Sequence, residues 1–264
     1  IYTLSLHDAL PIYQPADQLI MTAGATESLN LAFAGAESVV ISGVEHPAVL
    51  KLAQSKTNHA IAKITPSGLV DVDDLISKIT DQTDLVSVSL VSSDLGMIQP
   101  ISKIASEVRK IRDQRLARGD QRPLKLHCDA SQGLGYLPVN VARLGVDLLT
   151  LSGAKIYGPK QIGCLWIRPG VKVAPLVLGG GQEMALRSGT ENVPLVIGFA
   201  KAMDLLRKFK IKEVAELRDR LEAKILAQIP DVTIIGSPKK RLANYLVLRD
   251  RKSTRLNSSH TNRS

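Results

Sequence analysis

Between residues 13 and 249, short aliphatic runs alternate with segments of helical period, a rhythm that leaves few folds open. The stretches 38–43 (SVVISG), 60–66 (AIAKITP), 84–91 (DLVSVSLV), 124–132 (LKLHCDASQ), 146–152 (VDLLTLS) and 164–170 (CLWIRPG) read as strands. Between them, 27–36, 46–56 with Pro47 in its first turn, 71–79 opening on aspartates, and 99–119 closed by Gly119 read as helices. Strands separated by helices cannot pair as hairpins. They predict an α/β fold, a mostly parallel sheet with helices on both faces. Two further helices, 193–209 and 214–229, lead into 231–237 (DVTIIGS) and 241–248 (RLANYLVL), expected strands of a small C-terminal α+β lobe.

The sheet is built from aliphatic side chains: 44% of the 264 residues are hydrophobic and only 3% aromatic. That length buries one large domain, or one and a half. No apolar run approaches the roughly 20 residues of a membrane helix, and residues 1–10 lack a secretory pattern. The expected location is cytoplasmic, without a membrane partner. Cys128 and Cys164 form no CxxC pair and predict reduced, buried thiols.

A net charge of +9 raises the question of a nucleic-acid partner, but +3 of it lies in 250–264. That end has a second peculiarity. Asp250-Arg251-Lys252-Ser253 and Ala9-Leu10-Pro11-Ile12 can be written with reverse-complementary codons, GAT CGG AAG AGC and GCT CTT CCG ATC. Extended outwards, 1–12 and 250–264 resemble translated synthetic sequencing adapters, which makes them non-native segments and 13–249 the expected natural stretch. Other codons in the source DNA would exclude this. The remaining charge is scattered rather than striped, so no nucleic-acid partner is expected.

Ligands of open α/β sheets sit beyond the carboxyl ends of the strands, and four such ends are polar. They carry Ala25-Thr26 after Gly24, Glu45-His46, Asp129 with Gln132, and Ser152 with Lys155. Singly, Thr26 reads as a helix cap, His46 as a surface histidine, Asp129 as a turn residue and Lys155 as a solvated charge. Jointly they meet the needs of pyridoxal phosphate. A small-residue turn at a helix N-terminus takes the phosphate, an acid holds the ring nitrogen, and a lysine binds the aldehyde. Nucleotide loops fit less well: Pro159 replaces the lysine of GxxxxGK[ST], and "LGGGQEM" lacks GxGxxG spacing. A metal site is excluded at 127–129, because His127 and Asp129 share a strand face and Cys128 points away.

The motifs "MTAGATESLNLAFAG", "VISGVEHPAVL", "VSVSLVSSDLGMIQPI", "LHCDASQGLGYLPV", "VDLLTLSGAKIYGPKQIGCLWIR" and "GGGQEMALRSGTENVP", in this order, resemble the cysteine desulfurases of the NifS/IscS type. These belong to the class V aminotransferase family and have the type I fold of pyridoxal phosphate enzymes. The resemblance implies a cofactor-binding large domain over 13–205 and the start of a small domain over 206–249. It implies that Lys155 carries the cofactor and moves the substrate's α-proton, Asp129 pairs with the ring nitrogen, Gln132 donates to the ring oxygen, and His46 stacks on the ring and assists proton transfer. Ala25, Thr26 and Ser152 would hold the phosphate, and Thr190 would reach it from the other subunit of a homodimer. The substrate would be L-cysteine, converted to alanine, with its sulfur passed through an enzyme persulfide to an acceptor protein such as an iron–sulfur scaffold.

Three departures from the family pattern matter. Ala154 stands where a histidine usually precedes the lysine. Ser92-Ser93-Asp94 replaces an Asn-Asn-Glu run, so Ser93 takes the place of a substrate-carboxylate donor. The family's nucleophilic cysteine and C-terminal arginine find no match, so 13–249 alone is expected to bind cofactor without releasing sulfur. Ser93 and Ala154 also keep open another class V aminotransferase or lyase, or a non-catalytic relative.

Overall fold

The computed structural model describes residues 17–250. The adapter-like ends lie outside these residues, Asp250 excepted. The elements in chain order are β1 (Gln18–Thr22), α1 (Ala25–Phe33), β2 (Ser38–Ser42), α2 (Pro47–Gln54), β3 (Asn58–Ala62), α3 (Val72–Ser77), β4 (Leu85–Ser87) and α4 (Ile101–Ala117). They continue with β5 (Lys125–Asp129), α5 (Val141–Leu144), β6 (Leu148–Ser152), β7 (Gly163–Ile167), α6 (Val193–Leu206), α7 (Ile211–Gln228), β8 (Val232–Ile234) and β9 (Leu248–Asp250).

Seven strands form one sheet in the order β1-β7-β6-β5-β4-β2-β3. Pairing is parallel from β6 to β3, and β7 is antiparallel to both β6 and β1. β7 alone therefore runs against the rest, and six strands point their carboxyl ends the same way. Both faces are covered, which is why the strands read as continuous apolar runs. Val39 and Ile41 pack with Leu29, Phe33 and Val49 on the α1–α2 side. Val40, between them, packs with Leu75, Ile104 and Val108 on the other. The same alternation divides Leu165 and Ile167 from Cys164 and Trp166.

Local chemistry sets the helix starts. Asp71 caps α3 by accepting from the Asp74 amide at 3.1 Å, and Asn140 caps the four-residue α5 from the Arg143 amide at 2.9 Å. α4 buries Ile101, Ile104, Ala105 and Val108, the i, i+3, i+4, i+7 stripe of a helix laid on a sheet.

Two expectations need correction, and one strand was missed. The strand read at 60–66 starts at Asn58: β3 is a sheet edge, and its first residues are exposed, so the apolar run begins late. β1 was not singled out, being five residues ahead of a helix-rich motif. The stretch 241–248 is not a strand; only Leu248 enters β9, which pairs antiparallel with β8. Its buried residues, Arg241, Leu242 and Ala243, are consecutive rather than alternate. Its backbone bonds instead to the loop after β4, with Leu242 N donating to Gly96 O and Ile98 N to Lys240 O.

Candidate active site

Five carboxyl ends of parallel strands converge on one cavity of about 220 Å³. After β1 the chain turns at Gly24, whose φ of +123° lies in the region that favours glycine, and enters α1. No side chain caps that helix, so its first backbone N–H groups face outwards beside the Thr26 hydroxyl. β7 approaches this turn closely. A Cβ on Gly163 would sit 2.6 Å from Leu151 O and 2.8 Å from Gly24 C, so only glycine fits there.

β2 ends in the turn to His46, which caps α2: its Nδ1 accepts from the Ala48 amide at 3.1 Å. In the neutral ring that bond leaves the proton on Nε2. β5 delivers Asp129, buried, with Oδ1 accepting from the Ser131 amide at 2.9 Å. Burial pushes the Asp129 carboxyl up, against the pull of the Ser131 hydrogen bond and the Lys155 charge. β6 ends at Ser152, and the following 3-10 turn, Gly153–Ile156, presents Lys155.

Ala25, Thr26, His46, Asp129, Gln132, Ser152 and Lys155 all line this cavity, and Ser93 joins them from the loop after β4. Ser93 Oγ donates to Asp94 Oδ1 at 3.3 Å, and its carbonyl accepts from the Tyr245 hydroxyl at 3.0 Å. Thr190 does not line it. Thr190 stands in a neighbouring hollow with Thr22, Glu183 and Arg187. Ala154 is exposed and contributes nothing to the wall.

Glu45 was passed over when roles were assigned. One oxygen accepts from the Ser42 hydroxyl and from the Ser89 amide at 2.7 Å; the other accepts from the Ser89 hydroxyl at 2.6 Å. It ties the His46 turn to β4 and to Ser89, itself part of the wall. Burial pushes its carboxyl up to about 7, against the Ser42 and Ser89 hydrogen bonds. The strand-end pair Glu45-His46 was the signal for it.

His127 and the two thiols are structural. His127 is fully buried between the Ser87 and Thr150 hydroxyls at 2.9 Å each, and burial lowers its pKa to about 3. Cys128 and Cys164 are free and buried, and burial raises both thiols.

The donor set suits a phosphate-bearing pyridine aldehyde. Hydroxyls and an uncapped helix end meet a phosphate, a buried carboxylate meets a pyridinium, and an amine meets an aldehyde. A family model described as aminotransferase class-V matches residues 12–249. The chain belongs to that family. Among class V relatives, "Cysteine desulfurase IscS 1" of Archaeoglobus fulgidus is 38% identical over 88% of this chain and 61% of its own. "Cysteine desulfurase IscS" of Rickettsia typhi is also 38% identical, over 88% of this chain and 58% of its own. The chain thus spans about three-fifths of the length of these curated relatives. The solved NifS-like protein from Rickettsia africae superposes with a TM-score of 0.81 at 28% identity, covering 94% of this chain and 68% of that one. The class V assignment and the sheet described above therefore agree.

Proposed function

We propose that this chain is the cofactor-bearing part of a pyridoxal phosphate-dependent cysteine desulfurase. The observation that carries the reading is the meeting of Lys155, Asp129, His46, Thr26 and Ser152 around one cavity at the carboxyl ends of the strands. The names of the relatives supply the substrate, L-cysteine. When bound, the cofactor supplies an electron sink for charge developing at the substrate's α-carbon.

The residues do the rest. Lys155 would hold the cofactor through its side-chain amine, and the same amine would take and return the substrate's α-proton. Asp129, ionised against the ring nitrogen, keeps that nitrogen protonated. Gln132 donates to the ring oxygen. His46 covers the ring face, with Nε2 directed by the bond its Nδ1 makes to Ala48. Ala25, Thr26, Ser152 and the first amides of α1 hold the phosphate, joined by Thr190 of a second copy in a homodimer. Ser93 faces the substrate carboxylate. A thiolate attacks the substrate sulfur, the C–S bond breaks, and the carbon skeleton leaves as alanine after taking up a proton. The sulfur stays as a persulfide for an acceptor such as an iron–sulfur scaffold. We place the work in the cytoplasm; no helix among the described residues is long and apolar enough to cross a membrane.

Titrating the chain with pyridoxal phosphate tests the reading. A visible absorption band should appear in the wild type and be missing in Lys155→Ala. Wild-type protein that stays without the band at saturating cofactor would overturn it, and would favour a non-catalytic relative.

A further inference from the structure

The opposite end of the sheet holds a second hollow, about 480 Å³ and larger than the first. It opens at the amino ends of β5 and β6 and is walled by α4, the connection into β5, and the turn after β7. Five cations line it: Arg112, Arg115, Arg122, Lys125 and Lys172; the carboxylates are Asp120 and Asp147. Both carboxylates are already engaged. Asp147 pairs with Arg112 and Arg168, and Asp120 pairs with Arg122. Among the described residues no carboxylate forms an ion pair with Arg115, Lys125 or Lys172.

Arg115 is the telling member. It continues the stripe Ile101, Ile104, Ala105, Val108 on the buried face of α4, where the helical period calls for an apolar residue, and it is only 1% exposed. Its Nη2 donates to Thr80 O at 2.6 Å and Thr83 O at 3.1 Å, while Nε and Nη1 are buried without a partner. A guanidinium stays charged in such a place, and a buried charge without a counter-ion is strongly unfavourable. Asp120 and Asp81 attract it from a distance, and Arg122 and Arg118 oppose them. On the rim, Lys125 Nζ donates to the Lys172 carbonyl at 3.3 Å, and Asp84 and Asp147 attract it from a distance without forming an ion pair; Lys172 lines the same hollow. Leu116, Pro123 and Val171 complete the wall with apolar surface.

We propose that this hollow binds a phosphate-type oxyanion, either free or as the phosphomonoester of a small organic molecule. Lys125 and Lys172 contact the anion, and Arg115 supplies charge from the floor behind them. Three cations outside any carboxylate ion pair match a dianion better than a single carboxylate. The apolar wall suits the organic part of an ester.

Calorimetric titration of the full chain with inorganic phosphate, and separately with glucose 6-phosphate, tests this at ionic strength held constant with chloride. Saturable binding of either is expected, weakened about tenfold or more in the double variant Lys125→Gln/Lys172→Gln. The ligand that binds more tightly identifies the source. Because the cavity at Lys155 also suits a phosphate, Thr26→Ala/Ser152→Ala is the control, and it should leave this binding unchanged. Arg115→Met completes an apolar stripe, so it should raise the unfolding midpoint while lowering the affinity, a split that a purely structural arginine would not give. No saturable binding of either anion, or binding abolished by the Thr26/Ser152 variant and untouched by the lysine variant, overturns the proposal.

Discussion

Between pH 4.5 and 7 the folded chain keeps a proton on Glu45 that the unfolded chain has given up, because burial raises its pKa from 4.5 to about 7. The group's contribution to stability is therefore fully present below pH 4.5 and is lost as pH rises through 7. The loss should be on the order of 2 kcal/mol, less than the full shift implies because part of the residue reaches solvent. Denaturant midpoints of wild type and Glu45→Gln measured from pH 4.5 to 8 should diverge over this window, with the wild type alone falling; parallel curves would exclude a raised pKa. Ser93 makes a second residue-scale prediction. Its hydroxyl is spent on Asp94 at 3.3 Å, so it offers the substrate carboxylate no amide donor. Ser93→Asn should tighten cysteine binding to the cofactor-loaded chain about tenfold, the worth of one hydrogen bond to a charged group. Unchanged affinity in a spectroscopic titration would remove Ser93 from the substrate site. At this scale the sequence was most legible where residue type and strand end coincide, as at Asp129 and Lys155. Glu45 was not legible in role, because its partners lie apart in the chain, Ser42 at the end of β2 and Ser89 just past β4, and only the fold brings them together.

The elements were readable wherever burial on two faces made an apolar run, as in 146–152, and wherever a cap marked a start, as at Asp71. They were not where one residue's neighbours decide its conformation. The stretch 241–248 is rich in β-favouring residues, yet its backbone bonds to the loop at 96–98, and Tyr245 reaches Ser93. Tertiary contacts there override local preference. β7 carries an element-scale consequence of its own. It reverses the sheet's direction and brings Gly163 against the backbone of Gly24, the turn that opens α1. A methyl group at 163 would have to push two backbones apart. Gly163→Ala should therefore lower unfolding free energy by about 1–3 kcal/mol and weaken cofactor binding together, since strand and helix end move as one. Urea unfolding and cofactor titration on the same variant check this. Destabilisation with cofactor affinity intact would separate the packing of β7 from the helix end.

Six strands aim their carboxyl ends at one side of the molecule, and this, more than any single residue, gathers Thr26, His46, Asp129, Ser152 and Lys155 from four separated stretches. Parallel order follows from strands that alternate with helices, so the gathering was foreseeable from the β–α rhythm. The pocket of cations at the other end was not, because Arg115 looks like any helix arginine until its neighbours are known. The same architecture decides what the chain can do with sulfur. The desulfurase reaction needs a thiolate that reaches the substrate. The chain has two cysteines, and the sheet takes both: Cys128 in β5 and Cys164 in β7 are fully buried side by side with apolar residues of one core. Burial favours the neutral thiol, and a neutral thiol is a poor nucleophile. Cofactor-loaded chain mixed with cysteine should therefore yield no alanine above a cofactor-only control. An aromatic disulfide reagent should label neither thiol in the native protein and both after unfolding. Fast native labelling with alanine formation would show that one of these strands opens to present its cysteine, and that the sulfur-accepting group lies within this chain; labelling only on unfolding assigns that group to a thiol supplied from outside it.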